Sequence, residues 1–264
     1  MKSDLNDFWA IIPARSGSNG IPNKNIYNYK GQPLIVKAIF DALEVFDNVL
    51  FTSESREYHN IVQDALIEGG FTQVLYDGDN VNYRSIVRYY ALNEKYVISQ
   101  FRAEHLAQSH VQLDEVALDS IRFLQLQNRN VGHVCLLQPN SPRRTTTNIS
   151  DALKLYLISG KKGSVVSGYV EGGFHWKIDN TQQLINGNFL HYIEPINHVP
   201  ERRVGRQSQK NQLIKENGAI YLTSVKEFQL SKAMRNSPFL FYEMSEYGSI
   251  DLDEKEDLEK IKND

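Results

Sequence analysis

Phe8-Trp9-Ala10-Ile11-Ile12-Pro13-Ala14-Arg15-Ser16-Gly17-Ser18-Asn19-Gly20-Ile21-Pro22-Asn23-Lys24-Asn25 changes character at Pro13, and that change decides the fold. The first six residues form a short, nearly continuous apolar run, as expected of a strand buried on both faces. The residues that follow are turn formers through which no helix can propagate. Beyond Gly31-Gln32-Pro33, the spacing Leu34, Ala38, Ile39, Leu43 is helical, with Pro33 suited to the first turn. Asn48 to Ser53 reads as a second strand, Tyr58 to Glu68 as a helix and Thr72 to Tyr76 as a further strand. Strand and helix in that rhythm predict parallel βαβ units and an α/β fold with helices flanking a mostly parallel sheet.

The rhythm breaks over Asp77 to Gln100, which is rich in tyrosine, has weak helical spacing and offers no clear strand. It resumes with Leu113, Val116, Ala117, Ile121 and Leu124 on one helical face, and with a central strand over Val131 to Leu137. Thr146 to Ser159 reads as helix and Gly163 to Val170 as strand. Between Glu171 and Gln212 the apolar content thins, and residues 171–212 read as an arm or subdomain inserted into one domain spanning 1–264. Gly218 to Leu222 reads as strand, Ser224 to Ser231 as a short helix and Phe239 to Met244 as strand. Ser249 to Leu252 is expected to be the last strand, leading into a helix over Glu254 to Ile261.

With 264 residues, 41% hydrophobic and 23% charged, the composition suits a globular protein with an ample core. A net charge of -3 gives no counterion-release advantage on DNA or RNA, so a general nucleic-acid binder is disfavoured. The single cysteine, Cys135, lies in an apolar run and reads as a small core residue in a reducing compartment. Neither a signal-peptide pattern nor an apolar run of transmembrane length occurs, so the expectation is a cytoplasmic protein without a membrane partner.

In an open parallel sheet, ligands sit beyond the carboxyl ends of the strands. One such loop, after Pro13, carries two cations, Arg15 and Lys24, among glycines, serines and asparagines. Its backbone N–H groups can form an anion-binding concavity, to which the cations add charge for a triphosphate. The spacing is neither that of a Walker A loop nor that of a dinucleotide fingerprint, so alone it fits an ordinary turn equally well. At the other end of the chain, Asp251 and Asp253 flank Leu252. Two carboxylates on one face of a strand can converge on one hard cation. Taken alone, the pair is better read as solvated carboxylates, with Asp253 the N-cap of the acidic first turn that follows.

Taken as a set, these blocks resemble the CMP-sialic acid synthetases (N-acylneuraminate cytidylyltransferases), within the glycosyltransferase-A-like nucleotidyltransferases. The segment from Ile12 to Asn25 is similar to that family's CTP-binding signature, and Leu136-Leu137-Gln138-Pro139-Asn140-Ser141-Pro142 to its second motif. Gly163 to Ser167, Arg206-Gln207 with Glu216 to Tyr221, and Ser249 to Asp253 with Glu256-Asp257-Leu258 follow in the family's order. The resemblance implies a Rossmann-like fold of the nucleotide-diphospho-sugar transferase type, and joining of CMP from CTP to an acidic 2-keto sugar with release of pyrophosphate. It implies nucleotide binding by Ala14, Arg15, Ser16, Gly17, Ser18, Asn19, Lys24, Asn25 and Arg102, and contact with the sugar by Gln138, Lys177, Arg206, Asn217 and Tyr221. Asp251 and Asp253 would hold Mg2+ and, with Arg15 and Lys24, form the catalytic set. A homodimer is implied as well, with the 171–212 stretch as its arm.

The chain departs from the family pattern in places. Asn19 stands where a lysine is usual, which removes an electrostatic contact to the phosphates. Glu54 stands where aspartate is common, and Arg143 where leucine is usual. The family's Arg-Pro-x-Glu-Leu-Ala segment survives as Arg102-Ala103-Glu104-His105-Leu106-Ala107. These departures leave open a 3-deoxy-octulosonate, pseudaminic or legionaminic acid cytidylyltransferase, or a degenerate CTP-binding relative.

Overall fold

The computed structural model describes residues 5–18, 20–74, 87–173, 175–183, 189–197 and 213–264. Two compact units make up the chain, one of residues 1–168 with 217–264, the other of residues 169–216.

The larger unit is built on β1 (Phe8–Pro13), every residue of which is buried. Its side chains alternate between two cores, as a strand's period of two requires. Phe8, Ala10 and Ile12 meet one cluster, to which α1 (Leu34–Leu43), α2 (Arg56–Glu68) and α4 (Thr146–Ile158) contribute. Trp9 and Ile11 meet the other, with α3 (Leu113–Leu126) and α5 (Val225–Ser231). Cutting Ile11 back to alanine in such a place costs about 2–5 kcal/mol.

Parallel partners flank β1 on both sides: β4 (Asn48–Ser53), with Ile11 opposite Leu50, and β8 (His133–Leu136), with Ile11 opposite Leu136. Short β2 (Asn28–Tyr29) and β3 (Gln32–Pro33) form a separate antiparallel pair leading into α1. Among the described residues the main sheet runs β13-β9-β12-β8-β1-β4-β7-β6-β5. Its remaining strands are β5 (Thr72–Val74), β6 (Val87–Leu92), β7 (Lys95–Phe101), β9 (Ser164–Glu171), β12 (Leu213–Ser224) and β13 (Phe239–Glu243). β4 and β7 are parallel, as are β9 and β13, whereas β12 runs antiparallel to β8 and β6 to both of its neighbours. The expected α/β class, a mostly parallel sheet between helices, is what the chain adopts.

Two expectations fail. The tyrosine-rich stretch, where no strand was legible, contains the hairpin of β6 and β7, turned at Asn93 with φ 56°. Residues 77–86, the first part of that stretch, lie outside the described residues, as do residues 75 and 76 at the end of the strand expected over Thr72 to Tyr76. No last strand forms at Ser249 to Leu252: Tyr247–Ser249 is a 3-10 turn and residues 250–253 are irregular. Ile250 and Leu252 alternate as in a strand, but they pack into a third small core with Ile21, Tyr29, Leu34 and Ile261.

In the smaller unit, β10 (Trp176–Gln183) and β11 (Phe189–Pro195) form an antiparallel pair. Asn197, 4% exposed, braces the approach to it: its Oδ1 accepts from the His175 N–H at 2.9 Å, and its Nδ2 donates to the Gly173 carbonyl at 2.9 Å.

Candidate functional site

At the carboxyl ends of β1, β7 and β8, the larger unit holds a cavity of about 270 Å³. Arg15, Lys24, Asn25, Arg102, Gln138, Asp251 and Asp253 line it, together with Leu106, Gln108, Ser109, Val111, Leu113, Val116 and Asn140. Residues far apart in sequence and read as one site therefore share one space.

The loop after β1 is held from both ends. Ala14 N–H donates to the Thr52 carbonyl at 3.0 Å, and Asn25 Nδ2 donates to the Arg15 carbonyl at 2.9 Å. Glu54, just past β4, accepts at Oε1 from both the N–H (2.7 Å) and the Oγ (2.8 Å) of Ser16. Its Oε2 pairs with Arg102 Nη2 at 3.2 Å, and the same Nη2 donates to the Ala14 carbonyl at 3.2 Å. Burial opposes charge on Glu54, yet the hydrogen bonds from Ser16 and from its own backbone, together with the Arg102 guanidinium, outweigh it and hold the carboxyl below its usual range. Burial also lowers Arg102, and Glu54 opposes that shift. Gly17 is exposed, with open space around it, whereas the Ser18 Oγ is buried without a hydrogen-bond partner among the described residues. Asn19 lies outside the described residues.

Leu252 brings the two carboxylates to this loop. It is fully buried beside Ile21 from the loop, and its N–H donates to the Asn140 carbonyl at 2.9 Å. Gly20 lies so close that a Cβ there would stand 2.0 Å from the Asp253 carbonyl oxygen. Lys24 Nζ lies 2.6 Å from Asp253 Oδ1 and 3.0 Å from the Leu252 carbonyl oxygen. Asp251 Oδ1 is buried without a hydrogen-bond partner among the described residues. Burial, and then Asp253 beside it, push the Asp251 carboxyl up to about 7. An orphaned buried carboxylate oxygen with a second carboxylate next to it suits a hard divalent cation that keeps some waters and phosphate oxygens. Asp253 is not the cap of the final helix, α6 (Lys255–Ile261): Glu254 is, in a capping box with Asp257.

Gln138 follows β8, and its Nε2 donates to the Gly218 carbonyl at 2.9 Å. Gly218 has φ +67°, and a Cβ there would meet Gln138 Nε2 at 2.8 Å, so both backbone angle and space call for glycine. Arg144, 1% exposed, fixes this corner by donating from Nη1 to the carbonyls of Gln138 (2.7 Å) and Ala219 (2.9 Å).

Asn217 and Tyr221 do not line this cavity. Asn217 is 6% exposed, and the fold itself engages its amide: Oδ1 accepts from Ser167 Oγ (2.7 Å) and the Ala219 N–H (3.1 Å), and Nδ2 donates to Ser249 Oγ (2.9 Å). Such an amide positions the corner rather than reaching for a ligand. Tyr221 lines a second cavity of about 220 Å³ with Gln112, Leu113, Asp114, Leu136, Met234 and Arg235, and Leu113 borders both cavities. Lys177, in the smaller unit, is ion-paired with Glu194 at 2.8 Å. Arg206 lies outside the described residues. Sequence reading did not single out Glu54 as a clamp, Arg144 as a brace, or the Leu106 to Val116 wall. Only the Arg102 to Ala107 resemblance pointed near that wall. Arg143, noted as a departure, forms two hydrogen bonds to Asp264 (2.7 and 2.6 Å) and stacks on Tyr247 at 3.6 Å.

The chain is similar to known cytidylyltransferases. A family model described as cytidylyltransferase matches residues 9–100. The CMP-N,N'-diacetyllegionaminic acid synthase of Legionella pneumophila is 24% identical over 250 residues, 92% of this chain and 90% of that protein. N-acylneuraminate cytidylyltransferase A of Danio rerio is 29% identical over 92% of this chain, which spans 47% of that longer protein. Among solved structures, a CMP:2-keto-3-deoxy-manno-octonic acid synthetase complexed with CTP superposes with a TM-score of 0.55 over 96% of each chain at 16% identity, a likeness of fold. The resemblance to the N-acylneuraminate cytidylyltransferases, first carried by motifs, thus extends over more than nine-tenths of the chain.

Proposed function

We propose that this protein is a CTP-dependent cytidylyltransferase that joins CMP to a nonulosonic, sialic-acid-type 2-keto sugar acid. The observation that carries the reading is the single cavity collecting Arg15, Lys24, Arg102, Gln138, Asp251 and Asp253. Cations for a triphosphate, an amide for a sugar and a carboxylate pair for a metal meet there, in a chain similar to sugar-acid cytidylyltransferases.

In the reaction, the sugar's anomeric C2 hydroxyl gives its proton to solvent water, and its oxygen bonds to the α-phosphorus of CTP. The bond from that phosphorus to the oxygen bridging to the β-phosphorus breaks, and pyrophosphate leaves in line. Arg15 and Lys24 face the charge that builds on the phosphates, and Gln138 orients the sugar. Asp251 and Asp253 hold magnesium, which neutralises phosphate charge when bound. The resemblance alone assigns Lys177 and Arg206 to the sugar carboxylate. The smaller unit serves as the arm of a homodimer, a reading supported by Trp176, Ile178, Tyr192, Ile193 and Ile196, all more than a third exposed in that unit. The protein works in the cytoplasm; among the described residues no helix is long and apolar enough to cross a membrane.

The test is a panel of N-acylneuraminate, legionaminate, pseudaminate and 3-deoxy-octulosonate with CTP and magnesium, read as pyrophosphate release. Release with a nine-carbon acid is the expected result, and release with the eight-carbon acid alone would shift the substrate class. Calorimetric CTP binding with no release from any acid would make the chain a nucleotide-binding relative without turnover.

A further inference from the structure

Lys24 sits where a metal ligated by Asp253 would compete with it. Its Nζ is 2.6 Å from Asp253 Oδ1 and 3.0 Å from the Leu252 carbonyl oxygen. A carboxylate oxygen and a carbonyl oxygen are the donors that a hard divalent cation also takes. Neighbouring Asp251 offers its buried Oδ1, which has no hydrogen-bond partner among the described residues, as a further negative oxygen. The Lys24 main chain cannot drift away from this place, because Ile21 packs beside Leu252 and Gly20 abuts the Asp253 carbonyl. The ammonium itself is not so confined. It ends a flexible four-carbon stem, it already borders the cavity, and its Asp253 partner is 60% exposed.

We propose that Lys24 is a resident counter-cation of the carboxylate pair, which a divalent cation must displace from Asp253, and that this displacement frees the ammonium for the phosphates. The proposal rests on the reading of Asp251 and Asp253 as metal ligands given above. Without nucleotide, an ammonium and a divalent ion held side by side repel each other. A bound triphosphate supplies enough negative charge for both. Metal and nucleotide then strengthen each other's binding, and by linkage the effect is reciprocal. Arg102 differs: buried and held by Glu54, it has no competitor to give way to.

The test measures Mn2+ binding to the nucleotide-free protein at pH 8, by the loss of the free-ion electron paramagnetic resonance signal, in the wild type, K24M, K24Q and D251N/D253N. Removing the ammonium is expected to tighten Mn2+ binding about two- to fivefold, the range for a partly exposed ion pair. The carboxylate double variant should lose the site. CTP binding in the presence of Mn2+ and without a sugar acid, followed by calorimetry, should weaken in both Lys24 variants, and by less in chelator. The proposal is overturned by Mn2+ affinity that is unchanged or lower in K24M and K24Q, by no binding in any form, or by binding that survives D251N/D253N. Pyrophosphate release is scored separately. A wild type that releases pyrophosphate while the Lys24 variants leave Mn2+ binding unchanged sinks the exchange alone. Tighter Mn2+ in K24M with no release from any acid sinks the enzyme reading and leaves the exchange standing.

Discussion

Arg102 with Glu54, and Lys24 with Asp253, place the same two kinds of charge on different walls of one cavity. The first pair has side-chain exposures of 3% and 13%, the second 17% and 60%. On the first wall each carboxylate oxygen is committed, one to Ser16 and the other to Arg102. On the second, Asp253 gives one oxygen to Lys24, and Asp251 keeps a buried oxygen with no hydrogen bond among the described residues. A desolvated pair is costly to break, because the partner left behind is a buried charge, whereas a solvated pair exchanges at little cost. The contrast assigns the walls different work. The Glu54 wall shapes the loop after β1, and the Asp251–Asp253 wall is the one the proposed function puts to work in the chemistry.

The sharpest way to break this contrast is to neutralise the second wall. Asp251→Asn with Asp253→Asn is expected to lower turnover about a thousandfold or more, since it removes several kcal/mol of charge stabilisation. Circular dichroism and the urea midpoint should stay close to wild type, because Leu252, which carries the segment, is untouched. Near-normal pyrophosphate release from this variant would remove the metal site from the mechanism.

Glu54→Gln makes the opposite demand. The amide oxygen can still accept from Ser16, but Arg102 faces a neutral group in a buried place. A stability loss of about 1–3 kcal/mol in urea is expected, with a weaker effect on turnover than the carboxylate double variant. An unchanged urea midpoint would mean that the first wall is no scaffold.

The two walls also differed in how far the sequence disclosed them. β1 and its neighbours were legible because strands buried on both faces read as unbroken apolar runs, and Phe8 to Pro13 is one. The meeting of Lys24, Gln138 and Asp251 in one cavity was legible only through several motifs in a fixed order. The clamp by Glu54 was not, because its partners lie 38 and 48 residues away and no local period records such pairings. The supposed last strand misled because Ile250 and Leu252 alternate as a strand would, while their apolar partners are Ile21 and Ile261 rather than a neighbouring strand's face. In β6 the buried pair Tyr89 and Tyr90 masked the alternation, and Asn93 in a left-handed turn was the remaining sign of a hairpin. Asn217 carried a binding motif's residue type, but nothing local shows that Ser167 and Ser249 take up its amide.

The smallest expected effect tests whether the scaffold wall is rigid underneath. His59 in α2 is fully buried below Glu54, with Nδ1 2.6 Å from Ser99 Oγ and Nε2 3.0 Å from the Ser53 carbonyl oxygen. Its ring stacks on Phe101, the residue before Arg102. Burial pushes the imidazole down to about 4 from 6.5, so the folded protein keeps it neutral while the unfolded chain protonates it. The unfolded state therefore binds more protons between those values, and stability falls as the pH drops through that window. Acidification from pH 7.5 to 5 should remove about 2 kcal/mol through this one residue. His59→Gln is expected to be less stable at pH 7.5, having lost buried hydrogen bonds, and to show a shallower decline of the urea midpoint toward pH 5. Parallel declines in the two proteins would mean that His59 already protonates in the folded state, and that the floor beneath Glu54 and Arg102 is open to water rather than sealed.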